Sequence, residues 1–188
     1  MAINFKTNIA KVAEGIQQKL LILVDADDMT RTMASTATAL IRDRVHEKGL
    51  AADGTPIGTY SEGYMKVRTG DYGNSGVKTK GKNAGEKKDS GAYTKGAKAG
   101  SPRPRYNRST DTKVILSLTR QMENDLAICA TDPIKVDGGY GIGFQNKDNF
   151  EKARWCEDTY KKSIYRLTSS EKDVMDQIRN EHIKNALS

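Results

Sequence analysis

Apolar residues in the first fifty positions recur at steps of three and four. Phe5, Ile9, Val12, Ile16, Leu20 and Leu23 form one stripe, and Met29, Met33, Ala37, Leu40, Ile41 and Val45 form a second. That spacing places each set on one face of an α-helix. Asp25-Ala26-Asp27-Asp28 interrupts the pattern and supplies N-cap residues, while Lys48 and Gly49 form a stop signal for the second helix. Two more helices are predicted near the C-terminus. One opens at Asp148 with Glu151 and presents Phe150, Ala153, Cys156, Tyr160 and Ile164 on one side. The other opens on Thr168-Ser169-Ser170-Glu171, a capping box in which hydroxyl and carboxylate satisfy orphan backbone N–H groups. It turns Val174, Met175, Ile178, His182 and Leu187 inward.

Between the helix pairs, residues 114–118, 126–130, 134–136 and 140–144 are short runs of β-branched, aliphatic and aromatic residues bounded by turn formers. They predict four strands, the last two joined by a turn at Asp137-Gly138-Gly139. Residues 119–125 are ambiguous and fit a helical turn between strands. The expected fold is α+β: a small antiparallel sheet of about four strands, packed by long N-terminal and C-terminal helices. A chain of 188 residues suits one such domain. Residues 1–65 and 109–188 would form it, with 66–108 as an extended basic insertion.

That insertion differs in kind from the rest. It holds 12 of the 31 Lys and Arg but only three of the 24 Asp and Glu, a net of +9. The remainder, 19 basic and 21 acidic residues, carries −2. All the surplus charge of the chain (+7, pI near 9.3) therefore sits in one segment. The segment also has eight of the 17 glycines and lacks Leu, Ile, Phe, Trp and Met, so it has little to bury and is expected to be mobile by itself. Its basic residues Lys78, Lys80, Lys82, Lys87, Lys88, Lys95, Lys98, Arg103, Arg105 and Arg108 are the candidate interaction residues, interleaved with Tyr72, Tyr93 and Tyr106. A phosphate backbone or an acidic protein surface would suit them. The protein surface is favoured, because no nucleic-acid-binding module accompanies the charge.

The sequence offers little for catalysis. His46 falls near the end of the second helix, where a cation suits the helix dipole, and His182 has apolar neighbours. A Cys156–His182 pair lacks any nucleophile-elbow or thiol-protease context. Gly138-Gly139-Tyr140-Gly141-Ile142-Gly143 alternates as a strand does and is not followed by a helix in the manner of a phosphate loop. Asp25, Asp27 and Asp28 lack the glycine and distal Glu of a calcium loop, so capping is preferred. Cys129 and Cys156 form no CxxC and read as buried free thiols of a reducing cytoplasm. The N-terminus has no signal-peptide pattern, and the longest apolar run, 20–24, is too short to span a bilayer. The expectation is a non-enzyme with no cofactor and no metal.

Three motifs resemble one family. Ile41-Arg42-Asp43-Arg44-Val45-His46-Glu47-Lys48-Gly49 precedes Asp53-Gly54-Thr55-Pro56-Ile57-Gly58-Thr59-Tyr60-Ser61. Leu118-Thr119-Arg120-Gln121-Met122-Glu123-Asn124-Asp125-Leu126 follows the basic segment, with Arg120 where the family commonly has glycine. Tyr140-Gly141-Ile142-Gly143-Phe144 then precedes Glu151-Lys152-Ala153-Arg154-Trp155. In this order they resemble the tail-completion and neck proteins that join head to tail in tailed bacteriophages. The resemblance implies an α+β virion structural protein, made in the host cytoplasm, that assembles as a homo-oligomeric ring (dodecamer or hexamer). It also implies contact with portal or connector and tail proteins, and non-specific contact with packaged DNA. The alternative is a basic, non-specific nucleic-acid-binding protein that acts through residues 66–108.

Overall fold

A computed structural model describes residues 8–24, 27–70, 80–82, 84–85, 92–93, 95–104, 106 and 108–187, without the side chains of residues 20 and 22–24. Helices dominate: α1 (Ile9–Val24), α2 (Asp27–Arg42), α3 (Glu62–Thr69), α4 (Gln121–Thr131), α5 (Lys147–Tyr160) and α6 (Ser169–Leu187). The only sheet among the described residues is a hairpin of β1 (Lys135–Val136) and β2 (Gly139–Tyr140), with Val136 opposite Gly139. None of the described helices is long and apolar enough to cross a membrane.

The expected sheet of about four strands is therefore corrected to two very short strands. Residues 126–130 belong to α4, where Met122, Asp125, Leu126 and Cys129 are buried at helical spacing against α2. Their apolar run continues a 3.6-residue period begun at Gln121, and packing on α2 decides in favour of the helix. Residues 114–118 form an irregular strap broken by Leu116 at φ 48°; beside it, Thr59 pairs with Lys113 in a single bridge. Tyr60 Oη accepts the Ile115 and Leu116 N–H groups, which removes the donors a neighbouring strand would need. Of 140–144, Tyr140 lies in the strand and Gly141 N donates to Ile134 O at 2.8 Å just beyond it.

Helix α2 lies at the centre, packed on α4, α6 and β2, with α1 resting against α6. Asp25 lies outside the described residues, and Asp27 begins α2. Ala34, Ala37, Thr38 and Ile41 form its buried face. The helix then widens into a π-helical turn, Asp43–Glu47, closed by Lys48 N donating to Asp43 O at 3.0 Å. There Arg44, Val45 and His46 are all buried. The central cluster joins Ile41 and Val45 to Ala51, Ile57, Tyr60, Val114, Leu126 and Ile164.

Helix α5 opens at Asn146, whose Oδ1 accepts from Asp148 N, and ends at Lys161 in a left-handed conformation. Phe150, predicted to face inward, is half exposed; Asn149 and Ala153 are the buried positions. The capping box of α6 forms as read: Glu171 N donates to Thr168 Oγ1 and Thr168 N to Glu171 Oε2. Met175 is buried, whereas Leu187 is exposed, against its predicted inward position.

Candidate functional site

The basic segment starts and ends on the body. Residues 66–69 are the last turn of α3, so the insertion proper begins at Gly70, whose φ of 73° ends that helix. Arg68 is 2% exposed; its guanidinium lies 4.8 Å from the Tyr60 ring centroid and donates to Ser117 O. Arg108 N donates to Arg68 O at 3.0 Å, and Arg108 Nε donates to Leu118 O at 3.0 Å. Two arginines counted as arm charge thus form the foot of the arm. Among the predicted interaction residues, Arg108 is this foot clamp.

Within the arm, Ala92 and Pro102 form an isolated bridge, with Tyr93 N donating to Ser101 O and Gly100 N to Tyr93 O. Gly96 and Gly100, at φ 81° and 83°, allow the chain to reverse between them. Lys95 and Lys98 are exposed on this small hairpin, and Arg103 lies 6.0 Å from the Tyr93 ring centroid. Lys80 and Lys82 are exposed beside a turn in which Ala84 N donates to Gly81 O. Lys78, Lys87, Lys88 and Arg105 lie outside the described residues.

His46 is 2% exposed, and neither ring nitrogen has a hydrogen-bond partner. Burial is the main cause that lowers its pKa to about 4, with Glu123 opposing. It is a packed, neutral core residue and not the cation that the end of a helix would suit. Burial likewise raises the Cys156 thiol, away from the thiolate a nucleophile needs. Asp27 binds Lys135 Nζ and Tyr140 Oη, each at 2.8 Å, and these hydrogen bonds lower its pKa. Among the described residues, no three of His, Cys, Asp and Glu gather where they could hold a metal ion.

Two surface features stand apart. On α1, Ile9, Val12 and Ile16 share one face and, with Leu21 on another side, are 54–71% exposed among the described residues. Between α4 and α5 lies a depression of about 580 Å³, lined by Gln121, Asn124, Asp125, Gln145, Asp148 and Lys152, with Ile128 at its edge. Asp125, 7% exposed, builds its wall: the carboxylate accepts from Gln145 N (3.2 Å), Asn146 N (3.1 Å) and Asn149 Nδ2 (2.9 Å). Lys152 Nζ donates to Gln121 Oε1 and Asn149 Oδ1. The sequence reading passed over this groove. Its trace was a polar stripe at 121, 124 and 125 facing another at 145, 148, 149 and 152, visible only once 126–130 is read as helix.

No protein-family model matches this chain, and no curated protein or solved structure matches it.

Proposed function

We propose that this chain is a structural, non-enzymatic virion protein of the head–tail junction of a tailed bacteriophage. It assembles into a homo-oligomeric ring that joins the portal or connector to the tail. The exposed aliphatic side chains of α1 carry this reading. Four large side chains more than half exposed on one helix represent surface that a stable solution state covers, and a second copy can cover it. The motif residues suit a shared scaffold: Gly49, Ile57, Gly58 and Tyr60 build the loop that seats the 113–116 strap. A ring closes when one patch of each copy meets a different patch on the next.

Native mass spectrometry and negative-stain class averages of the purified protein test this. Six- or twelve-fold rings are the expected result. A monomer at every concentration, together with absence of the protein from purified particles, would overturn it.

The exposed Lys95 and Lys98 on an acid-free hairpin favour one second reading, non-specific binding of nucleic acid by the arm. Duplex DNA affinity should then fall with salt by about 0.9 log unit per log unit of salt for each phosphate contacted.

A further inference from the structure

The arm and the α4–α5 groove are complementary in charge and in hydrogen bonding. No acidic residue occurs between Asp89 and Asp111, while Lys95, Lys98, Arg103, Arg105 and Arg108 do. The described part of the tip, 92–93 and 95–102, is rich in glycine and alanine; its turn engages the N–H groups of Tyr93, Ala99, Gly100 and Ser101 internally and presents Lys95 and Lys98 exposed. The groove supplies what such a segment lacks. Asn124, Gln145 and Asp148 are exposed at its rim, and carboxamides both donate to and accept from a peptide backbone. Asp148 is its exposed carboxylate; the buried Asp125, engaged by three donors, adds negative charge behind it, and the one cation, Lys152, is already held by Gln121 and Asn149. Ile128, 57% exposed, offers apolar surface for lysine methylene stems. The wall needs no rearrangement, because Asp125 fixes the 145–146 turn and Asn149 in place.

We infer that the Lys95–Lys98 hairpin of one copy docks in the groove between α4 and α5 of the next copy. This rests on the assembly reading and names the contact that links neighbours in the ring. It is heterologous, since arm and groove are different surfaces, as head-to-tail ring closure requires. Reach permits it. The shorter limb sets the limit: the 10 residues from Lys98 to Arg108, which is clamped to the body, span at most ~33 Å at ~3.3 Å each, still beyond the radius of gyration of about 16 Å of a compact chain of this length.

The test uses the full chain in two variants, Asp148→Lys, which spoils the groove, and Lys95→Asp/Lys98→Asp, which spoils the arm. Sedimentation velocity at low salt is expected to show each alone associating about tenfold or more weakly than wild type, from like charges brought together. An equimolar mixture is expected to recover a heterodimer, because the intact arm of one variant meets the intact groove of the other. Asn124→Lys, on the exposed face of α4, should reproduce the groove defect if Asp148→Lys perturbs α5. Unchanged association in all variants would overturn the docking while leaving the ring reading standing, and a monomeric wild type would overturn both. A mixture that forms no heterodimer would overturn contact between copies. Loss of duplex DNA binding by Lys95→Asp/Lys98→Asp, with self-association intact, would assign the hairpin to DNA and overturn it as well.

Discussion

The Nε of Arg44 lies 2.7 Å from Oε1 of Glu171, 127 residues further along the chain, and both side chains are buried. Arg44 also donates to the carbonyls of Leu50, Ile164 and Arg166. Glu171 meanwhile closes the capping box of α6 through its other oxygen. One ion pair therefore joins the π-helical turn, the loop after it, the 164–166 strap and the start of α6.

Replacing Arg44 by Ala leaves a buried carboxylate and three carbonyls without their donor. The expected loss is about 3–5 kcal/mol, read as a shift in urea midpoint at constant m-value. A loss below about 1 kcal/mol would mean that the pair is dispensable to the fold.

His46 sets a dependence on acid. Its pKa is about 4 when folded, against 6.5 for the free side chain, so the unfolded chain takes up the proton first as pH falls. The stability tied to the neutral ring is complete above pH 6.5 and is lost progressively between pH 6.5 and 4, by about 3 kcal/mol at the limit. In His46→Phe the slope of unfolding free energy against pH in that window should shrink. A wild-type slope that survives this substitution would place the effect elsewhere.

Two glycines of one loop should differ. Gly49 has φ 61°, and a Cβ there would run into the Val114 carbonyl oxygen; at Gly54, φ 78°, a Cβ would meet nothing within 4 Å. Gly54→Ala should cost about 1 kcal/mol from backbone strain alone, and Gly49→Ala clearly more. Equal losses in thermal unfolding would argue against the close packing of the 113–116 strap on Gly49.

Arg120 occupies a left-handed conformation, φ 61°, just before α4. Its contact with Glu123 is long, 3.9 Å, and the arginine is exposed. Arg120→Gly should therefore shift stability by less than about 1 kcal/mol, while the β-branched Arg120→Val should destabilise more. The reverse order by calorimetry would show that the Glu123 contact outweighs the backbone term.

The α1 face predicts a separation of stability from assembly. Ile9→Ser, Val12→Ser and Ile16→Ser combined remove exposed surface, so the melting temperature of the isolated protein should change little. Mass by light scattering should fall toward the monomer. Unchanged mass would show that assembly does not use this face.

Much of the chain was legible locally. The helices that became α1, α2, α5 and α6 follow from apolar spacing and from Thr168 and Glu171, because caps and period act over four residues. The Asp137-Gly138 turn likewise needs only its own φ > 0 glycine. The segregation of charge into residues 66–108 is a property of the sequence alone.

Tertiary structure decided the rest. Residues 126–130 could alternate as a strand or wind as a helix, and burial of Leu126 and Cys129 against α2 selects the helix. With that choice the sheet shrinks to a hairpin and the α4–α5 groove comes into being. The same applies to His46 and Arg68, polar by sequence yet buried, because the strap at 113–118 and the Tyr60 ring close over them from distant parts of the chain. Local propensity fixes what a segment prefers. Which residues are shut away from water is fixed only by the elements that arrive from elsewhere.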